Sequence, residues 1–172
     1  MQKLPEECIT QIQQLVDTIN PASLLLGGDD DRAGELAEIM AEKNIQNVTS
    51  VTGANIYSRI CKLGVFDLVI LAGIETIQKK AAMQLIGRIR DFHARHLLVM
   101  VLTDRDQSSA EFASYWQRQD FIACGMRLFN KYPAGKHELQ IYRFEMSDYK
   151  VTPEWFNSKF WANPELFDKF RW

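Results

Sequence analysis

The stretch FDLVILA, residues Phe66–Ala72, decides the fold of this chain. A short and almost continuously apolar run is typical of a strand that is buried on both faces of a parallel sheet. Apolar residues at helical spacing follow between Ala82 and Ile89, and a second apolar run spans Leu97–Leu102. A strand, a helix and another strand in this order predict parallel pairing through a right-handed crossover.

The same alternation extends toward the N-terminus. Residues Pro5–Ile19 carry an apolar stripe that is typical of an amphipathic helix, and Asn20-Pro21 is expected to end it. Strands are predicted at Ser23–Leu26 and Val48–Thr52. A helix follows each of them, the first from Ala33 and the second after Gly53. These segments add parallel strands to the sheet and helices to its faces.

A helix is also predicted after the strand Leu97–Leu102. Ser108 and Glu111 have the spacing of a capping box, in which each side chain bonds the backbone of the other. The helix that they would begin carries the aromatic residues Phe112, Tyr115 and Trp116.

Two strand-like runs come next, at Gly125–Phe129 and Leu139–Met146. The turn-forming cluster Tyr132–Lys136 between them is too short for a helical crossover, so the two strands must form an antiparallel hairpin. The sequence therefore predicts a three-layer α/β sandwich with a mostly parallel sheet, closed by a C-terminal antiparallel hairpin.

Composition indicates one ordinary globular domain, residues 1–148, followed by a distinct tail. Of 172 residues, 47% are apolar and 24% are charged, and the formal net charge of −2 gives no general attraction for nucleic acid or an anionic membrane. The N-terminus lacks the apolar core of a signal peptide. The three cysteines form no C-x-x-C pair, which favours reduced thiols and a cytoplasmic location.

The tail, residues 149–172, is unusually aromatic, with eight aromatic residues in 24. Thr152-Pro153-Glu154 and Asn163-Pro164-Glu165 each have the pattern of a helix start, so two short helices are predicted. Packing on the chain's own domain is favoured for this segment. A homodimer or partner interface and a lid over a ligand crevice are the alternatives.

The parallel units closed by an antiparallel hairpin resemble the class I S-adenosylmethionine-dependent methyltransferases over Pro21–Met146. The best local match is Phe66–Ile77, which is similar to the fourth strand of that Rossmann-like family and the loop after it. The ending Phe160–Trp172 resembles that of an uncharacterised gammaproteobacterial family with a methyltransferase-like core. The segment before Phe66 is short, so the edge strand that usually precedes the fourth strand is expected to be missing.

The resemblance implies a cofactor crevice at the C-terminal ends of the first and fourth family strands. The cofactor-binding residues that it implies are Gly27, Gly28, Asp29, Gly53, Ala72, Gly73 and Glu75. The motif departs from the family pattern, since Leu25 stands at its acidic position and Asp29 and Asp31 replace two glycines. The second strand also lacks the carboxylate that usually contacts the ribose.

Asp29, Asp30 and Asp31 have several interpretations. They can cap a helix that begins near Arg32, hold the ammonium or sulfonium charge of a ligand, or bind a divalent metal. No further metal ligands are evident in the sequence, so no metal site is predicted. Three carboxylates at a helix N-terminus argue against the pyrophosphate of NAD or FAD.

The sequence leaves two functional hypotheses. The first is a divergent S-adenosylmethionine-dependent methyltransferase that acts on a small molecule or protein, for which no catalytic base can be named. The second is a non-catalytic relative that uses the same scaffold for binding. His93 and His96 are predicted to be surface histidines at the end of a helix.

Overall fold

The structure is a computed structural model that describes residues 3–53, 55–104 and 112–145. The six strands of one sheet are β1 Ser23–Gly28, β2 Asn47–Thr52, β3 Phe66–Ala72, β4 Ala94–Thr103, β5 Arg127–Ala134 and β6 His137–Glu145. The helices are α1 Glu6–Ile19, α2 Asp30–Ala41, α3 Ile56–Ile60, α4 Lys79–Phe92 and α5 Arg118–Ala123, and a 3-10 turn spans Ile74–Thr76.

The sheet has the order β2-β1-β3-β4-β6-β5. The first four strands are parallel, and β6 runs antiparallel to both β4 and β5. The predicted mostly parallel sheet with its closing hairpin is therefore confirmed. Among the described residues no strand lies outside β2, as the short segment before Phe66 led us to expect.

Strand β3 has the boundaries predicted from FDLVILA, and its burial explains why every residue of the run except the half-buried Asp67 is apolar. Leu68 and Ile70 pack on the side of α1 and α2, whereas Val69 and Leu71 pack on the side of α3, α4 and α5. Successive side chains alternate between the faces of a strand, so a central strand of a three-layer sandwich needs apolar residues on both faces wherever it is fully buried.

Strand β1 and helix α2 differ from their predicted boundaries. The strand continues through Gly27 to Gly28, and the helix begins at Asp30 rather than at Ala33. Only Asp29 separates the two elements. It caps α2 by accepting a hydrogen bond from the backbone N–H of Asp31 at 3.2 Å, which confirms the helix-capping interpretation for this aspartate.

The predicted helix with Phe112, Tyr115 and Trp116 is wrong, because residues 112–117 belong to no helix or strand. Phe112 packs against the core on the α1 side of the sheet, and Trp116 is buried in the core on the α4 side. A single helical turn cannot place these two side chains on opposite faces of a sheet. Helix α5 begins later, at a capping box formed by Gln117 and Asp120.

The β5–β6 hairpin is confirmed, with a tighter turn than predicted. Strand β5 continues through Pro133 to Ala134, and only Gly135 and Lys136 form the turn. Proline is tolerated because β5 is an edge strand, whose outward N–H groups need no partner in the sheet. Gly135 supplies the positive φ, 55°, that tight hairpin turns require.

His93 is not a surface histidine, contrary to prediction. It caps α4 and is 4% exposed, and its Nδ1 lies 3.1 Å from the carbonyl oxygen of Gly64. The backbone N–H of Phe66 donates to the carbonyl of His93, so the end of α4 is held against the start of β3. His96 is half-buried on β4.

Two further predictions concern residues that the structure does not describe. The capping box of Ser108 and Glu111 and the helices of the tail, residues 149–172, lie outside the described ranges. Within those ranges, Cys8, Cys61 and Cys124 are free thiols, and none of the helices has the length and apolar character needed to cross a membrane.

Candidate functional site

A crevice of about 480 Å³ opens at the C-terminal edge of β1 and β2. The end of β1 and the start of α2 form one wall through Gly28, Asp29 and Asp30. The segment after β2 forms the opposite side, which includes Gly53 and Tyr57. Open α/β sheets bind ligands at this edge, where neighbouring strands lead their helices to opposite faces.

The structure brings three of the seven predicted cofactor-binding residues to this crevice, namely Gly28, Asp29 and Gly53. The other four, Gly27, Ala72, Gly73 and Glu75, are buried and are not among its lining residues. The predicted location at the C-terminal ends of β1 and β3 is therefore occupied in part by the chain's own packing. The open space lies toward β2.

The packing between β1 and β3 explains two of the glycines without a ligand. Gly28 has a φ of 120°, and a Cβ atom on it would overlap the carbonyl oxygen of Ala72. Gly73 has a φ of 78°, and its Cβ would lie 2.5 Å from the Cβ of Asp29. The backbone N–H of Asp29 also donates to the carbonyl of Ala72 at 2.9 Å. The two strand ends therefore touch.

A buried ion pair reinforces this contact. The guanidinium of Arg32 on α2 donates to the carboxylate of Glu75 in the 3-10 turn after β3. Burial raises the pKa of Glu75, which is fully enclosed, and the charge of Arg32 acts in the opposite direction. The second carboxylate oxygen, Oε2, has no hydrogen-bond partner among the described residues.

Asp30 is the acidic crevice residue that lies beside Gly53 at the end of β2. Its carboxylate oxygens lie 3.8 and 4.0 Å from the point that a Cβ on Gly53 would occupy. The end of β2 has no carboxylate of its own, so Asp30 places a negative charge there from the neighbouring helix. Among the described residues no group of three histidine, cysteine or acidic side chains could hold a metal ion.

Sequence analysis missed Arg32 and Tyr57 as residues of this region. Arg32 is the one basic residue of α2, directly after three aspartates, which is a signal for an internal ion pair. Tyr57 is 45% exposed beside the crevice. An aromatic residue in a five-residue helix gives no periodic signal that separates it from the core positions Ile56 and Ile60.

Glu75 and Glu145 should change the pH dependence of stability in opposite directions. Because burial raises the pKa of Glu75, its contribution to stability is present at low pH and is lost as the pH rises through the folded-state pKa. A hydrogen bond from Arg143 lowers the pKa of Glu145 on β6. The contribution of Glu145 is therefore present at neutral pH and is lost as the pH falls.

Urea unfolding of the wild type, Glu75→Gln and Glu145→Gln from about pH 3 to about pH 8 measures both effects. The stability of the wild type relative to Glu75→Gln should fall with rising pH, and relative to Glu145→Gln it should rise. If both stability differences changed with pH in the same direction, the opposite pKa shifts of Glu75 and Glu145 would be contradicted.

Solved structures with the same fold include S-adenosylmethionine enzymes. The N-terminal domain of EvdMO1, crystallised with SAH and D-fucose, has a TM-score of 0.56 and 10% identity, with 83% of this chain and 84% of that one covered. The methyltransferase domain of bacterial CtHen1 has a TM-score of 0.51 and 9% identity, with 79% and 97% covered. A SAM-dependent methyltransferase from Aquifex aeolicus has a TM-score of 0.50 and 10% identity, with 82% and 98% covered.

These likenesses show that the chain has the Rossmann-like fold of the SAM-dependent methyltransferases, as the sequence resemblance implied. No curated protein matches the chain in sequence. The model of DUF6231, a family of unknown function, matches residues 6–172.

Proposed function

We propose that this chain, which belongs to the DUF6231 family of unknown function, binds S-adenosylmethionine in the crevice beside β2 and transfers its methyl group to an acceptor. The shared fold supports the proposal, as does the position of the crevice at the C-terminal edge of the parallel strands.

The observation that carries the proposal is the position of Asp30. Methyltransferases of this fold usually place a carboxylate at the end of the second strand for the ribose hydroxyls, and this chain has none between Val48 and Gly53. Asp30 holds its carboxylate beside Gly53 instead. A carboxylate accepts hydrogen bonds from two neighbouring hydroxyl groups, and such charge-assisted bonds are stronger than neutral ones.

Other residues of the crevice suit the remaining parts of the same ligand. Tyr57 and Ile77 offer aromatic and aliphatic surface to a purine ring, and Asp29 offers negative charge to a cationic group. The bound cofactor supplies an electrophilic methyl group. The chain's part is to bind and orient the two reactants, which can provide much of the acceleration of such a transfer.

Loss of the Asp30 carboxylate should weaken binding strongly. In a calorimetric titration of the full chain with S-adenosylhomocysteine, Asp30→Asn should raise the dissociation constant by about tenfold or more, because hydrogen bonds to a charged group contribute about 1.5–3 kcal/mol. S-adenosylmethionine titrated in the same way should show the same loss.

Asp31→Asn is the matched control, since it removes the same charge one residue further along α2 and does not line the crevice. It should change the dissociation constant by less than about threefold. Absence of binding by the wild type at millimolar ligand would overturn the proposal. An equal loss of affinity in the two variants would show that Asp30 acts only through its negative charge and makes no specific contact with the ligand.

A non-catalytic binding protein is the second candidate, and the contact between β1 and β3 favours it. Asp29 and Arg32 pack against Gly73, and Arg32 pairs with Glu75, so these residues leave little room for a ligand between the ends of β1 and β3. A chain that binds adenosine as tightly as S-adenosylhomocysteine would fit this candidate, because the methionine part would then contribute nothing.

A further inference from the structure

A second concave surface lies at the opposite end of the sheet from the crevice. This groove, of about 290 Å³, is lined by Arg127, Leu128, Phe129, Arg143, Phe144 and Glu145. Glu145 pairs with His96 near the start of β4, so the groove lies at the N-terminal edge of the parallel strands. It is therefore independent of the proposed cofactor site.

The lining of the groove suits aromatic side chains. The guanidinium of Arg143 lies 5.7 Å from the ring centroid of Phe129, and both residues line the groove. Arginine planes and phenyl rings both stack favourably on further aromatic rings. Leu128, which is 38% exposed, adds aliphatic surface to the same edge.

The edge strand β5 is unsuited to pairing with another strand at this point. Its register with β6 shifts between Leu128 and Asn130, so Phe129 forms a bulge. A bulge interrupts the row of backbone groups that an added strand would need. An occupant of the groove would therefore bind through its side chains rather than by extending the sheet.

We propose that the aromatic segment of this same chain, residues 149–172, docks in this groove. Strand β6 ends at Glu145 on the rim of the groove, and Tyr149 follows within about 14 Å of extended chain. The segment contains three of the four tryptophans of the protein, Trp155, Trp161 and Trp172. Its composition thus matches the arginine and phenyl surface beside which the chain leaves the sheet.

Limited trypsin digestion of the full chain tests the proposal. Docking should protect the four tryptic sites of the tail, Lys150, Lys159, Lys169 and Arg171, from cleavage. Leu128→Asp places a charge in the groove and should accelerate cleavage at these sites by about tenfold or more. Val48→Asp is the matched control, because Val48 is 42% exposed on the other edge strand, β2, and its replacement should leave the rate unchanged.

Equal cleavage rates in Leu128→Asp and Val48→Asp would overturn the proposal. Protection that grows with protein concentration would also overturn it, because the segment would then dock on a second copy. If Leu128→Asp fails to fold, hydrogen exchange of Trp155→Ala/Trp161→Ala provides the test. The amides of Leu128 and Phe129 should exchange about tenfold faster than in the wild type, and unchanged exchange would refute docking in the groove.

Discussion

Gly28→Ala should lower the free energy of unfolding by about 4 kcal/mol, a large part of the stability of a domain of this size. Alanine at a φ of 120° adopts a strained backbone, and its Cβ would overlap the carbonyl oxygen of Ala72 on β3. Backbone strain costs about 1–3 kcal/mol and overpacking about as much again. Urea unfolding followed by far-ultraviolet circular dichroism measures the loss.

Gly87→Ala in α4 is the control for this prediction. A Cβ on Gly87 meets no atom within 4 Å, and alanine favours a helix interior over glycine by about 1 kcal/mol. The same replacement should therefore stabilise the protein at Gly87 and destabilise it at Gly28. A Gly28→Ala variant as stable as the wild type would show that β1 and β3 do not touch as described.

Arg32→Met should lower the free energy of unfolding by about 3–5 kcal/mol at neutral pH. Glu75 is fully enclosed, and without Arg32 its charge is left buried and unpaired. The loss should shrink at acidic pH, because protonation removes the uncompensated charge. Unfolding curves at two pH values distinguish this electrostatic loss from a loss of side-chain packing.

The double variant Arg32→Met/Glu75→Gln tests whether the contributions of the two side chains to stability are coupled. Removing both charges should recover most of the stability that Arg32→Met loses, because no charge is then left buried without a partner. If the losses of the two single variants simply add in the double variant, Arg32 and Glu75 are not coupled in solution.

The local sequence pattern was sufficient to predict those elements whose faces keep the same surroundings, buried or exposed, from one end to the other. FDLVILA predicts the boundaries of β3 because both faces of that strand are buried, and the amphipathic stripes predict α1 and α4. The pattern failed at Phe112 and Trp116, whose spacing suits a helix although their side chains serve opposite faces of the sheet. The conformation of such a segment is determined by tertiary packing, which the periodicity of the local sequence does not report.

The site was predicted less completely than the fold. The edge of the sheet followed from topology, and Gly28, Asp29 and Gly53 do meet there. The pairing of Glu75 with Arg32 could not be predicted, because the two residues are 43 positions apart and no local rule joins them. The carboxylate of Asp30 reaches the end of β2 across a gap between elements, which a strand-by-strand comparison of motifs also misses.

The strand order has a consequence for how the nascent chain folds. Strand β5 is made before β6 but reaches the sheet only through β6, which lies between it and β4. A growing chain that ends before Glu145 therefore leaves one edge of β4 uncovered and gives β5 nothing to pair with. Completion of the sheet must wait until β6 has emerged from the ribosome, and until then the uncovered edge of the apolar strand β4 is open to pairing with other chains.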